Sequence, residues 1–398
     1  MKILLLLPLL ISTVSGQGFG NFGGGGFGGF GGATGGLGGH STGGLAGAAG
    51  GTLGGALSNV ANAAQGVVSN IASIVPKVPL LTNVQNFDDF LSQTGKTLSA
   101  AERSLREGAF TATKNLVNAG NEAFAKGLST FEMAVNAFAD LTNEEFLKQK
   151  TGRKRSPETD ARTASSRRLA TVPEDKPIPE SFDWRKKGGV TPVKNQGTCG
   201  SCWTFATTGA IEGHTFAATG TLPNLSEQNL VDCGPTEDFS LNGCDGGFQE
   251  AALCWIHENQ MGVPLAENYP YVDKQESCKF EPSDIGPHMR GFGVIPPGDE
   301  ELMKKVVATL GPLACTVSVT DTLKNYKRGI YDNDECNQGE LNHAILVVGY
   351  GSENGLDYWI VKNSWDDSWG EEGYFRLLRG KNFCQIAAEC SYPLITHA

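Results

Sequence analysis

Three short motifs constrain this chain more than any other feature. Cys202 lies in Cys199-Gly200-Ser201-Cys202-Trp203, His343 in Asn342-His343-Ala344, and Asn363 in Lys362-Asn363-Ser364-Trp365. They carry a thiol, an imidazole and a carboxamide, three side chains able to take part in chemistry. They lie far apart along the chain, so the fold must gather three separate segments. Around Cys202, the apolar positions Trp203, Ala206, Ala210 and Ile211 predict a helix from Cys202 to about Thr215. A helix N-terminus carries about half a positive charge and stabilises a thiolate. A neighbouring imidazolium lowers the thiol further, which predicts a thiolate–imidazolium pair at working pH. After His343, the run Ala344-Ile345-Leu346-Val347-Val348-Gly349-Tyr350 predicts a buried strand.

The chain has 398 residues, enough for more than one domain. Residues 1–16 combine a charged start, a short apolar run and small residues, as a secretory signal peptide does. No later stretch reaches the roughly 20 apolar residues of a membrane span. Ten cysteines in a secretory chain imply disulfides. No cysteine–histidine spacing suits a metal site, so neither metal nor cofactor is expected. Residues 1–177 hold 16 Lys+Arg and 13 Asp+Glu, whereas residues 178–398 hold 16 and 30. The basic first part should attract the acidic second part, and the acidic surface argues against nucleic-acid binding.

Residues 17–81 form a low-complexity extension. Between Gly18 and Gly55, 21 of 38 residues are glycine, which predicts disorder. Val60, Ala64, Val67 and Ile71 allow a weak helix that Pro76 and Pro79 end. From Phe87 a helical pattern sets in. Glu102, Arg106, Phe110, Thr113, Val117 and Asn121 share one helix face. Residues 148–177 are polar, basic and proline-bearing, with Arg153-Lys154-Arg155 and Arg167-Arg168, and read as a processing linker.

These motifs resemble the papain family of cysteine proteases, and the cathepsin L-like endopeptidases within it. The face from Glu102 to Asn121 resembles the family's propeptide pattern, with Thr113 and Val117 where Asn and Ile are usual. Asn136-Ala137-Phe138-Ala139-Asp140 resembles a further propeptide segment, with Ala134 in place of a glycine. The resemblance implies an inhibitory prodomain over 86–147 and a peptidase domain over 178–398. It implies an α+β, papain-like fold of two lobes, one helical and one β-barrel-like, with the cleft between them. Within the cleft it implies Cys202 as nucleophile, His343 as acid and base, Asn363 as orienter under Trp365, and Gln196 as oxyanion donor. Gly246, Gly247 and Asn342 would line the cleft. Phe248, Thr316, Leu341, Ala344 and Glu389 would form the second subsite, apolar for Phe or Leu, with Glu389 at its floor to take Arg.

The resemblance also implies Cys199–Cys244, Cys233–Cys278 and Cys336–Cys384 disulfides, and buried charges at Lys194, Glu212, Glu227 and Lys362. Cys254, Cys315 and Cys390 have no family partner, though a Cys315–Cys390 bond would leave Cys254 free. Asn224-Leu225-Ser226 is a glycosylation sequon in an apparent surface loop. Asp366 departs from the glycine usual after the tryptophan. The stretch from Cys233 to Cys244 is short and lacks histidine, unlike the blocked cleft of cathepsin B-like exopeptidases. Peptides are the implied substrates, the prodomain an intramolecular inhibitor and cystatin-type proteins further partners. A monomer in a lysosomal or extracellular setting follows. Two other readings stay open: an inactive homologue that only binds, and a matrix protein whose Gly/Phe tract is the working part.

Overall fold

The computed structural model describes residues 75–172 and 176–396. The signal-peptide segment, the glycine tract and the weak helix over Val60–Ile71 lie outside the described residues.

The described chain begins with a helical module. Asn86 accepts a bond from the Asp89 N–H and starts α1 (Phe87–Thr94), which Gly95 ends at φ 67°. Ser99 and Glu102 form a capping box that starts α2 (Ala100–Ala125). Strand β1 (Phe131–Met133) follows, and a second capping box, Thr142 with Glu145, opens α3 (Asn143–Lys150). Phe87, Phe90, Phe110 and Ala139 form the module's own small core. The predicted face of α2 thus divides its labour. Glu102 caps. Arg106 reaches the Glu145 carboxylate at 2.6 Å and the Asp140 carbonyl at 3.2 Å. Phe110, Thr113 and Val117 are buried, and Asn121 bonds both the N–H and the carbonyl of Met133.

Residues 151–172 are more structured than a linker. Ser156 caps α4 (Pro157–Ala164), with Pro157 pre-set for the first turn. Thr159 and Thr163 of α4 are fully buried. Strand β2 (Arg167–Leu169) pairs parallel with β4 (Met289–Val294). Arg162 pairs with Glu258 and Arg167 with Glu250. The polar composition hid this docking because threonines and ion pairs, not apolar side chains, carry it.

The larger region runs on from β3 (Phe182–Asp183) and α5 (Trp184–Lys187). Its helical lobe holds α6 (Cys202–Thr219), α7 (Glu227–Cys233) and α8 (Gln249–Trp255). The sheet lobe adds α9 (Glu300–Thr309), β5 (Leu313–Val317), β6 (Tyr326–Tyr331), β7 (His343–Glu353), β8 (Leu356–Lys362), β9 (Tyr374–Leu378) and β10 (Cys390–Ile395). The ten-stranded sheet has the order β1-β6-β9-β8-β7-β5-β10-β4-β2, with β3 on β7. The two edges of this path, β1 and β2, therefore come from the segment before residue 178. Helix α6 is buried from Cys202 to Thr215 except at Phe205 and packs on β5, β7, β10 and α8. That placement aims its N-terminus at the start of β7.

Disulfides join Cys199–Cys244 and Cys233–Cys278 in the helical lobe, and Cys336–Cys384 and Cys315–Cys390 in the sheet lobe. Cys315 and Cys390 are register partners of β5 and β10. Cys202 and Cys254 remain free thiols.

Candidate active site

Cys202 is the first residue of α6, and its N-cap, Ser201, makes no side-chain cap bond. The loop before it is tethered by the Cys199–Cys244 disulfide and by the Gly200 N–H to the Cys244 carbonyl at 2.9 Å. A side chain at Gly200 would sit 2.6 Å from that carbonyl, so the loop needs glycine there. The Ala344 N–H donates to Cys202 Sγ at 3.4 Å, which brings the thiol to the start of β7. His343 opens the same strand, and its Nε2 lies 2.8 Å from Asn363 Oδ1. With Oδ1 as acceptor, Nε2 carries the proton. Nδ1 is buried without a hydrogen-bond partner, which leaves it as the uncommitted basic nitrogen. Trp365 stacks on the imidazole with ring centroids 4.8 Å apart and covers the His343–Asn363 bond. Gln196 is fully buried. Its Oε1 accepts from Ser364 Oγ at 2.7 Å and its Nε2 donates to the Cys199 carbonyl at 3.0 Å. The structure thus gathers the four residues that the motifs singled out.

Their protonation differs from the sequence expectation. Burial pushes the Cys202 thiol up to about 12, against the pull of the Ala344, Trp203 and Cys202 N–H groups. Burial pulls His343 down to about 4, against the Asn363 bond. Burial thus disfavours charge on both groups in the precursor, whereas the ion pair is expected of the working enzyme.

Residues 150–155 run through the cleft. The Lys150 carbonyl accepts from Trp365 Nε1 at 2.8 Å. The N–H groups of Gly152 and Arg153 both donate to the Asn342 carbonyl, at 3.1 and 3.0 Å. Gly247 N–H donates to the Gly152 carbonyl at 2.8 Å, Lys154 N–H donates to the Gly247 carbonyl at 2.7 Å, and the Arg153–Gly247 bridge is parallel. Gly152 has φ 153°, and a side chain there would meet the Gly200 carbonyl at 1.9 Å. Glycine alone lets the segment lie this close to the thiol loop.

The segment fills the predicted second subsite with an arginine. Arg153 binds both carboxylate oxygens of Glu389, and Arg155 adds a 2.7 Å bond to the same group. Thr316 Oγ1 donates to the other Glu389 oxygen at 3.0 Å. The guanidinium groups of Arg153 and Arg155 lie 5.6 and 5.2 Å from the Phe248 ring. Glu389 therefore turns inward. Ala344 is buried as the register partner of Thr316, and Leu341 is half-buried next to Asn342. Gly246 is crowded by the Gly152 carbonyl.

Several contributors escaped the sequence reading. Phe138 and Phe146 of the helical module pack edge-on against Trp365, at 6.2 and 5.1 Å. Residues 75–81 are described and in contact, although they belong to the extension expected to be disordered. Val75 is buried, and Pro76 and Pro79 stiffen the stretch. The Val78 N–H donates to Asp366 Oδ2 at 2.7 Å. Asp366 adopts φ 77°, the conformation expected of the missing glycine and one that Asp tolerates. The Asp140 carboxylate pairs at 2.5 Å with Lys96 of its own module. The Asn224 sequon is not an open loop. Leu225 and Ser226 are buried, and Asn224 Oδ1 is buried without a partner.

Behind α6, Lys194 bridges Glu212 at 3.1 Å and Glu227 at 2.6 Å, and Lys362 donates to Thr191 at 3.0 Å. Burial opposes the charges of Lys194, Glu212 and Lys362. Lys194 is nonetheless held above its usual value by the two glutamates, and Glu212 below its own by Lys194 and Lys362.

Residues 178–394 match the family model described as papain family cysteine protease, and residues 87–146 match the cathepsin propeptide inhibitor domain. A cathepsin L-like peptidase of Aedes aegypti is 40% identical over 310 residues, covering 75% of this chain and 88% of that protein. Human cathepsin L2 is 41% identical over 333 residues, covering 81% and 96%. The structure of digestive procathepsin L 3 from the larval midgut of Tenebrio molitor superposes with a TM-score of 0.70 at 38% identity, covering 77% of this chain and 97% of that one.

Proposed function

The chain belongs to the papain family of cysteine proteases and is a peptide hydrolase made as a zymogen; from that premise we propose how its residues divide the work. Cys202 is the nucleophile, His343 the acid and base, Asn363 the orienter and Gln196 an oxyanion donor. The observation that carries this reading is the constellation itself: a thiol at a helix N-terminus beside a strand whose first residue is an imidazole held by a carboxamide.

When the covering segment leaves, water and the helix terminus stabilise charge again, and the proton moves from Cys202 to His343 Nδ1. The thiolate attacks the scissile carbonyl carbon. The developing oxyanion takes hydrogen bonds from the Cys202 N–H and from Gln196 Nε2, each such donor being worth about 3–4 kcal/mol of barrier. His343 then gives its proton to the leaving amine, and the C–N bond breaks. Water, deprotonated by His343, hydrolyses the thioester and frees Cys202.

The second subsite selects the residue one before the scissile position. Phe248, Thr316, Leu341 and Ala344 suit Phe or Leu, and Glu389 suits Arg, as its grip on Arg153 supports. A carboxylate at a half-buried floor is costly alone but favourable in a bidentate arginine pair. The cleft is open at both ends, so cleavage is internal. The four disulfides fit the secretory pathway, with a lysosomal or extracellular destination. Among the described residues no helix is long and apolar enough to cross a membrane. The mature enzyme works as a monomer that cystatin-type inhibitors can block.

The test is Cys202→Ala. It removes the nucleophile with little change in volume, so peptide hydrolysis should fall at least about a thousandfold with the circular dichroism unchanged. Residual turnover within about tenfold of the parent overturns the assignment.

A further inference from the structure

We propose that Asp366 and Asp367 form a second acidic subsite at the leaving-group end of the cleft, which binds a lysine or arginine of the substrate. The inference rests on the cleft reading above and extends it to the opposite side of the scissile bond.

The covering segment supplies the direction. It passes from Lys150 at Trp365, across Gly152 at the thiol loop, to Arg153 at Glu389. Glu389 marks the acyl side, so the Trp365 end is the leaving-group side. At that end the propeptide places Lys77 against a carboxylate and Lys150 against a backbone carbonyl. Lys77 Nζ lies 3.0 Å from Asp367 Oδ2. Lys150 is 5% exposed, and its ammonium donates to the Gly197 carbonyl at 2.5 Å. Burial pulls its ammonium down to about 8, against the pull of Asp273 and Asp366.

The site is built. Asp273 is fixed by the N–H groups of Thr198 and Cys199, at 2.7 and 2.9 Å. Asp366 is 5% exposed and its Oδ2 accepts from the backbone N–H of Val78 at 2.7 Å. Asn195 Nδ2 donates to the carbonyl of Pro76 in the same stretch, at 3.1 Å. Residues 76–78 are thus held as a peptide is held: backbone donor and acceptor both satisfied, and a lysine on a carboxylate. Both lysines precede the peptidase domain and leave with the propeptide. Asp366 and Asp367 then lose the Val78 N–H and the Lys77 ammonium that meet them here. The two ends of the cleft follow one rule, since Arg153 meets Glu389 at one end and Lys77 meets Asp367 at the other.

The experiment uses the mature enzyme and internally quenched peptides. All share Phe at the second acyl-side position, and each carries Lys or Gln at one of the first three leaving-group positions. The parent should show a kcat/KM for Lys about three- to tenfold above that for Gln at one or more positions, shrinking as salt screens the pair. Asp366→Asn, which tolerates the same backbone conformation, and Asp367→Asn should each bring the ratio toward one. Titration with a thiol-directed inhibitor sets the active concentration, so the ratio is read on folded enzyme; if one variant fails to fold, the other carries the test. A parent ratio of one at all three positions, or a ratio unchanged in both variants, overturns the proposal. Failure of the underlying peptidase reading is distinct, because no peptide of the set would then be turned over.

Discussion

The propeptide module and the peptidase domain are held together in different ways. The module's own core is four residues, Phe87, Phe90, Phe110 and Ala139, and it contains no cysteine. Its other buried apolar side chains, Val117, Phe131, Met133, Phe138 and Phe146, pack into the peptidase core, and caps and ion pairs such as Arg106–Glu145 and Lys96–Asp140 add the rest. The peptidase domain has a continuous apolar core and four disulfides, each worth about 2–4 kcal/mol through the unfolded state. One part is built to be lost and the other to persist. The difference also predicts a dependence on pH. Burial raises Glu145, but the bonds from Arg106 and Thr142 outweigh it and hold the carboxyl below its usual range. Burial likewise raises Glu132 of β1, and Lys327 and Arg328 of β6 outweigh that. A carboxyl held low contributes stability that is fully present above its unfolded value, about pH 4.3, and is lost as pH falls through the lower folded value. Both the module and its edge strand therefore weaken in acid.

The largest test of this contrast is Phe110→Ala in a Cys202→Ala precursor, which cannot digest itself. Phe110 sits 5.5 Å from the Phe87 ring and 5.1 Å from Phe90. Its loss should cost about 3–5 kcal/mol. Calorimetry should show the lower-melting transition shift or vanish while the upper one stays; a joint shift of both would erase the contrast. Next is Glu389→Ala in the mature enzyme. It should lower turnover of an Arg-Arg peptide by about tenfold or more relative to a Phe-Arg peptide, as expected of a pair worth over ~1.4 kcal/mol. Equal losses on both peptides, or no Arg-Arg turnover by the parent, would mean that Glu389 reads the propeptide and not the substrate. The smallest effect is expected for Glu132→Gln, whose partners Lys327 and Arg328 are half exposed or more. Maturation at neutral pH should quicken by less than about fivefold, and the acid dependence should flatten. Maturation of the parent at equal rates in acid and at neutral pH would remove the electrostatic account.

Much of the cleft was legible because its chemistry sits in short motifs. Cys202-Trp203, His343 before an apolar strand and Asn363-Ser364-Trp365 are each readable without a fold. The face from Glu102 to Asn121 was legible as one helix, since its period is strict. What stayed hidden depends on distant segments meeting. Arg153-Lys154-Arg155 reads as a cutting site, and nothing local shows that Arg153 reaches Glu389. Asp366 reads as an awkward substitute for glycine until Val78 appears beside it. The neutral state of Cys202 and His343 was equally invisible, because it follows from burial by a segment that sequence alone does not place in the cleft.

The central claim is that the propeptide holds a competent Cys202 covered and neutral. Alkylation of the intact precursor and of the matured enzyme with the same iodoacetamide pulse near pH 6, followed by peptide mapping that separates Cys202 from Cys254, tests it directly. The account predicts negligible labelling of Cys202 in the precursor and rapid labelling after maturation, since burial under the propeptide disfavours the thiolate and blocks access to it. Equal labelling of Cys202 in both forms would contradict it.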